Sequence, residues 1–315
     1  MTQRRFCARF LCYRFRPFSF SDTFDMQSLW MLLASFLFAL MAAGVKLASP
    51  DIGTFSMVFY RGLFGVVILG GWSLYLGRSL RTPCIMSHMK RSAAGTISLA
   101  MWLWSLVWLP LSTGTTLNYT SPLFMAAILT ATALLKGRPV EYKLIAACLL
   151  GFAGVVEVLQ PEVSAEDFLP GLVGLGSGLL SAIAYIQIKE LAQMHEPEWR
   201  VVFYFSLFNL VFGLIGHWLF EAPDVYTVKS VSYVFLVGLS ATLAQIAMTR
   251  SYGSGNLLLS SILSFSGIVF ACLFSVLIFG DSTEVTTYAG IAVIIAAGIW
   301  ASMITKRPKD KKAAS

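Results

Sequence analysis

The sequence predicts an all-α integral membrane protein, with ten transmembrane helices arranged as two inverted five-helix repeats. Three observations carry that prediction: an apolar composition, ten hydrophobic runs of spanning length, and two stretches, from Ser112 and from Gly253, that share one pattern. The chain has 315 residues, of which 57% are hydrophobic and 12% charged, and its mean hydropathy is +0.74. A soluble domain carries about 25% charged residues. Half that share leaves too few polar side chains to cover a water-facing shell.

A membrane helix needs about 20 mainly apolar residues to cross ~30 Å of hydrocarbon. Runs of that length occur at 28–48, 52–76, 91–109, 112–134, 142–160, 168–188, 201–220, 230–250, 256–279 and 285–304. They are too long and too uniformly apolar for the alternating strands of a closed barrel, the other spanning solution. Basic residues mark the cytoplasmic side of such a protein. With the N-terminus inside, the ten spans place 20 of the 23 Lys and Arg residues in inner segments, whereas only Lys46 and Lys229 fall at outer ends and Arg61 lies within a span. The outer connections are acidic or neutral. One missed or invented helix would invert every later loop, so this alternation supports both the count and a multi-pass protein of the cell (inner) membrane with both termini cytoplasmic. It also explains the net charge of +7 without nucleic acid as a partner.

Outside the spans, residues 1–27 form a basic, aromatic extension that alternates arginine with aromatic residues and cysteines ("RRFCARFLCYRFRPFSF"). It lacks the apolar core of a signal peptide and reads either as an interfacial segment or as an upstream addition to a chain that begins naturally at Met26. Residues 306–315 form a basic cytoplasmic tail. The five cysteines are scattered with no CxxC pair, and the three histidines are far apart in sequence. Neither a disulfide framework nor a metal site is expected, and no cofactor.

The repeat is visible in "STGTTLNYTSPLFMAAILTATALLKGRPVEYKLIAACLLGFAGVVEV" and "GSGNLLLSSILSFSGIVFACLFSVLIFGDSTEVTTYAGIAVIIAAGIWAS". Each begins with small and polar residues around a glycine (Gly114, Gly255) and continues into a hydroxyl-bearing apolar span. Each then turns at a glycine with a glutamate four residues on (Gly137/Glu141, Gly280/Glu284). Each ends in an Ala/Gly-rich span with a late glycine (Gly154, Gly298). These are spans four–five and nine–ten. Five spans per half force the halves, 28–160 and 168–305, into opposite orientations, and such inverted repeats commonly hold a solute near mid-membrane at their interface.

The ten-span layout, the segment "NYTSPLFMAAIL…KGRPVE" and its counterpart "SYGSGNLLLSSILSFSGIVFACLFSVLIFGDSTEV" resemble the EamA-type proteins of the drug/metabolite transporter superfamily. The likeness extends over about residues 28–305. It implies transport of small organic solutes such as amino acids, vitamins, nucleobase-like metabolites or drugs, through a cavity lined mainly by spans one, three, four, six, eight and nine. The chain departs from the family in the turn after span four, which reads "KGRP" where a Gly-Glu pair is usual. The acidic residue moves to Glu141, which puts a role for that carboxylate in doubt.

Several side chains are candidate solute contacts. Asn118 and Tyr119 lie in span four just before Pro122, which removes a helix hydrogen bond and kinks the chain. Two readings fit: a kinked helix lining a hydrated cavity, or polar groups that glue helices together. Arg61 lies roughly 15 Å deep at 1.5 Å per residue. A central arginine costs ~2.5–3.5 kcal/mol on insertion scales, so it requires compensation, by an anionic solute or by structural partners such as Glu157. Trp102 and Trp104 point in different directions, so one of them is free to stack on a solute, and Trp102 is taken as the candidate. Tyr185, Gln187 and Gln245 read either as neutral contacts to a zwitterion or as interhelical bonds. Lys46, Pro122 and Glu157 are the gating and coupling candidates; Glu157 is the one carboxylate well inside a run, and Lys46 with Glu157 forms an outer gate or simply snorkels. Trp30, Trp72, Trp199, Trp218 and Trp300 are expected as interfacial anchors, Asn209 as structural, and Gly174 with Gly178 as a close helix contact.

These readings define a secondary transporter of a small organic metabolite working by alternating access, not an enzyme. No GxxxxGK[ST] motif supplies a nucleotide site. The alternatives are a non-transporting membrane sensor or assembly partner and, further off, an intramembrane lipid-modifying enzyme, which would need clustered acids or histidines near one face. The expected partners are a small organic solute, the lipid bilayer and, as one option, a second copy of the chain in a homodimer.

Overall fold

The structure is a computed structural model that describes residues 26–109, 111–161, 168–280 and 285–305. The basic tail and all but the last two residues of the N-terminal extension lie outside those residues. The described chain is helical without strands: α1 (Trp30–Ala48), α2 (Thr54–Tyr75), α3 (Ile85–Trp108), α4 (Leu111–Asn118), α5 (Ser121–Leu135), α6 (Tyr142–Leu159), α7 (Phe168–Gln193), α8 (Glu198–Phe220), α9 (Val228–Ser254), α10 (Leu257–Ser264), α11 (Ser266–Phe274), continued by a π-helical turn to Phe279, and α12 (Val285–Thr305). With α4–α5 and α10–α11 each counted as one segment, nine spans among the described residues are long and apolar enough to cross a bilayer. They match nine of the ten predicted runs. The remaining run is α3, 24 residues long but less apolar, because His88, Lys90 and Arg91 sit in its first two turns. The result is an all-helical multi-pass membrane protein.

Local chemistry sets the ends of these helices. Gly77 and Gly137, with φ of 61°, follow α2 and α5 in the left-handed conformation. The amides beyond them close back on the helices, Arg78 N to Ser73 O at 2.8 Å and Arg138 N to Ala133 O at 2.8 Å. Glycine takes this conformation without a Cβ penalty. Gly280 takes the same conformation with φ of 69°. A capping box starts α9, where Thr227 Oγ1 accepts from Ser230 N and Ser230 Oγ accepts from Thr227 N.

The principal helix pairs are α2 with α8, α1 with α9, α6 with α12 and α3 with α7. Exchanging each helix for its counterpart five spans on (α1 for α7, α2 for α8, α3 for α9, α6 for α12) turns this set into itself. The two self-paired contacts are backbone against backbone. A Cβ on Gly62 would meet Leu210 N at 2.4 Å, and one on Gly213 would meet Phe59 N at 2.3 Å. A Cβ on Gly154 or Gly290 would meet the other's carbonyl oxygen at 2.8 Å. Small residues allow such approaches where apolar burial alone cannot hold helices together in lipid. Between α3 and α7 a serine contact does this work: Ser98 Oγ donates to Ser177 O at 2.7 Å and lies 2.7 Å from Ser181 Oγ.

The connections fall at two ends. At the acidic end Glu221 accepts from Phe55 N (2.7 Å) and Ser56 N (3.0 Å), and Asp224 accepts from Gly53 N (3.0 Å), so two carboxylates satisfy the open amides at the start of α2. Such amides favour a negative partner. The basic end carries the 76–84 and 194–197 connections. Trp199 lies there and is buried, edge-on to Trp72 at 5.5 Å and packed with Leu69 and Val202. The predicted anchor is therefore part of a small core. Trp30, Trp72, Trp218 and Trp300 remain exposed.

Candidate functional site

Span four is divided, not merely kinked. The helix stops at Asn118 and restarts at Ser121, which places Pro122 in the first turn of α5. There its missing N–H would have had no helical partner in any case. The hydroxyl of Thr120 takes up the carbonyl of Leu117. Gly174 and Gly178 of α7 admit this break: a Cβ on Gly178 would lie 2.4 Å from Thr120 Oγ1 and one on Gly174 3.0 Å from Leu117. Span nine is divided as well, at Phe265 between α10 and α11. No proline marks it. Instead Ser264 and Ser266 donate back to Ser261 O and Leu263 O at 2.7 Å each. The two breaks meet, with the rings of Tyr119 and Phe265 6.3 Å apart and the Tyr119 hydroxyl 2.9 Å from where a Cβ on Gly267 would stand.

Around that meeting point lies a group of polar and aromatic side chains drawn from distant parts of the chain. Tyr185 of α7 stacks on Tyr252 of α9, with centroids 4.6 Å apart and planes 12° from parallel. Tyr185 is within electrostatic reach of Tyr119, Arg61 and Arg91. Arg61 Nη2 donates to Gln245 Oε1 at 3.5 Å, and its guanidinium carbon lies 5.8 Å from the centre of the Phe205 ring. Arg91 shares that ring at 4.3 Å. Arg91 is 2% exposed, and among the described residues its Nε and Nη1 find no hydrogen-bond partner. Arg61, Tyr119 and Tyr185 are half-buried.

Four of the predicted site residues, Arg61, Tyr119, Tyr185 and Gln245, thus come together. Asn118 stands one residue away but donates to Ser177 Oγ at 3.1 Å, a bond between α4 and α7. Among the described residues Trp102 Nε1 and Gln187 Oε1 are buried without a hydrogen-bond partner, and neither is bonded to the Arg61 group. Trp104 and Trp108 face outward, 42% and 62% exposed. Lys46 is exposed with its Nζ 4.0 Å over the Phe279 ring, and Glu157 is exposed on α6. Asn209 is buried and accepts from Thr96 Oγ1 at 3.3 Å. No group of three or more His, Cys, Asp or Glu among the described residues could hold a metal.

Sequence reasoning missed Arg91, which it counted as a loop charge. Its place depends on packing against Gly95, one turn further along α3, which no local pattern in the sequence marks. A Cβ there would lie 2.5 Å from Arg91 Nη1 and 2.9 Å from the Phe205 ring, so the glycine makes room for the guanidinium.

A second missed feature closes the basic end. Glu196, 7% exposed, accepts from Thr82 Oγ1 (2.6 Å) and Arg200 Nη1 (2.8 Å) and lies 3.2 Å from His88 Nε2. Burial raises its carboxyl, but the hydrogen bonds from Thr82, Arg200 and His88 together outweigh burial and hold it below the usual carboxylate range. Burial pushes the His88 imidazole down, against the pull of Glu196. Both shifts mean that the unfolded chain binds more protons, so stability rises with pH across each titration. Their contributions are present in full above the ordinary histidine pKa of 6.5. The histidine contribution falls as pH drops below that value, and the glutamate contribution falls below the ordinary 4.5. The melting temperature of the detergent-purified protein should therefore decline from pH 7 to pH 4, and Glu196→Gln should flatten the lower part of that decline.

The fold and this centre define a class: a multi-pass helical bundle whose two divided helices meet beside buried cationic and aromatic groups. Residues 26–160 match the model of the EamA-like transporter family. The chain is 24% identical over 277 residues to an uncharacterized transporter of Helicobacter pylori (strain J99), covering 85% of this chain and 92% of that protein. It is 24% identical over 286 residues to the pseudopaline exporter CntI of Pseudomonas aeruginosa (strain UCBPP-PA14), covering 90% and 99%. It is 21% identical over 297 residues to the S-adenosylmethionine uptake transporter of Rickettsia bellii, covering 92% and 98%. A solved crystal structure superimposes with a TM-score of 0.78 at 19% identity, covering 90% of this chain and 100% of that one, which shows a shared fold. The proteins it resembles over most of its length are thus named as transporters.

Proposed function

We propose that the protein is a secondary transporter that carries a small organic solute across the inner membrane by alternating access. In this reading ten helices form two inverted five-helix repeats, 28–160 and 168–305, with both termini cytoplasmic. The exchange symmetry of the helix pairs and the basic connections at one end support it. The observation that carries the proposal is the convergence of Arg61, Gln245, Tyr185 and Tyr119 where the two divided helices meet. Divided helices at mid-membrane are the usual setting of carrier sites, because the freed backbone groups and the solute share one hydrated space. Arg61 favours an anionic or zwitterionic solute over a multiply charged cation. Asn118 and Pro122 would hold the break, Trp102 and Gln187 would line the path, and Lys46 and Glu157 would act toward the outer face.

The test is flux in reconstituted vesicles with a panel of amino acids, vitamins, purines, organic acids and sulfonium compounds. Concentrative or exchange-driven uptake of a panel member supports the reading, and Arg61→Gln should lower it at least tenfold. Absence of flux for every solute, or accessibility labelling that puts the termini on opposite sides of the membrane, would overturn it.

A further inference from the structure

Arg61 and Arg91 are two guanidiniums set on one phenyl ring inside a membrane bundle. Neither forms an ion pair with a carboxylate of the described residues. Arg61 has a 3.5 Å contact to an amide oxygen, and Arg91 has the ring face while its Nε and Nη1 are buried without a partner among the described residues. A cation over a ring gains attraction from the ring face, but that contact offsets only part of the cost of taking an ion out of water. The two charges are also close enough to repel each other. Glu196, which contacts His88 one turn earlier on α3, is already held by Arg200, His88 and Thr82. The other described carboxylates lie in connections or near helix ends, and Glu157 is exposed on α6.

The bundle has gone to some length to seat this charge. Gly95 removes the Cβ that would collide with Arg91 Nη1, and Phe205 lies buried under both guanidiniums. A structural arginine would more simply find a helix C-terminus or a carboxylate. Among the described residues the same locus offers no acid to receive an ammonium or sulfonium group. It offers donors and rings: Arg61, Arg91, Tyr119, Tyr185 and Phe205.

We propose that Arg61 and Arg91 together form one anion site and that the transported solute is an organic dianion without a net positive group. This rests on the carrier reading above and adds Arg91 as a specificity residue. Charge balance sets the class: two buried guanidiniums are neutralised by two negative charges, and a monoanion leaves one of them unanswered. Dicarboxylates and phosphate monoesters share that chemistry.

The test uses binding to the full-length chain in detergent, which needs no transport. Melting temperature is followed while titrating succinate, its monoamide succinamate, phenyl phosphate, its monoanionic methyl ester, choline and trimethylsulfonium. At least one dianion should stabilise the protein saturably and at least tenfold more tightly than its monoanionic partner; which of the two does so identifies carboxylate or phosphate as the source. Arg61→Gln and Arg91→Gln should each weaken that binding at least tenfold. Arg91→Lys keeps the charge and serves where Arg91→Gln does not fold; it should retain binding weakened several-fold. Equal affinity for monoanion and dianion, unchanged dianion affinity in a folded Arg91→Gln variant, or stabilisation by the cations alone would overturn the proposal. Dianion binding without flux would count against the carrier reading only, and flux confined to neutral or cationic solutes would count against the dianion only.

Discussion

Gly62→Leu is expected to abolish recovery of a monodisperse protein, and Gly213→Leu to do the same. The Cβ at Gly62 would stand 2.4 Å from Leu210 N and 2.7 Å from Ser206 O; at Gly213 it would stand 2.3 Å from Phe59 N and 2.6 Å from Phe59 Cα. Both sets of atoms are backbone, so no side chain can rotate away. The helices α2 and α8 must separate, and with them the loops that Glu221 and Asp224 hold at the start of α2. Overpacking a core typically costs about 1–3 kcal/mol through adjustable side chains, and a backbone collision belongs at or beyond the upper end. Gly71→Leu lies on the same helix with open space around it. It should purify like the parent, which makes size-exclusion profiles of the three variants a direct check. Two profiles like the parent's for Gly62→Leu and Gly213→Leu would refute the close pairing of α2 and α8.

The second large effect is expected at the basic end. Glu196→Ala removes the acceptor for Thr82 and Arg200 and the partner of His88 at once. Breaking a buried pair by deleting one member costs about 3–5 kcal/mol. The Arg200 side chain is 16% exposed and can turn to water, so a loss of about 2–4 kcal/mol is the expected size. A clear drop in melting temperature at pH 7 should follow. Glu196→Gln should recover part of it, since an amide oxygen still accepts from Thr82. The remaining difference between the alanine and glutamine variants reports the hydrogen bonds alone. An unchanged melting temperature in Glu196→Ala would show that this cluster does not hold the 76–84 and 194–197 connections together.

The spans were legible because lipid imposes one simple requirement, a continuous apolar run, and nine predicted runs reappear with ends shifted by a few residues. The break at Asn118–Ser121 was legible as a bend because proline announces it. Its counterpart at Phe265 was not, since there serine hydroxyls replace the helix bonds and serines are common in any membrane run. Arg91 was read as a loop charge because it adjoins Lys90 at the edge of a span. Only packing reveals that Gly95 and Phe205 draw it inward. The Glu196 cluster joins residues 108 and 114 positions apart, a distance that no local pattern spans. Trp199 shows the opposite error. Position near a span end suggested an interfacial anchor, whereas the side chain is buried against Leu69 and Val202.

The centre is also unequally shared along the chain. Its two cations, Arg61 and Arg91, come from before residue 160, while Phe205, Tyr185, Gln245 and Tyr252 come from after residue 168. A fragment ending at Pro161 would hold both charges and Tyr119 without Phe205 beneath them, and a fragment starting at Phe168 would hold the other rings and an amide with no charge. Co-expressed, the two pieces could complement each other, whereas a pair of copies of either piece could not. The pairing of helices across the chain thus goes with a division of labour, in which the charges and the ring that seats them come from opposite sides of the 161–168 connection.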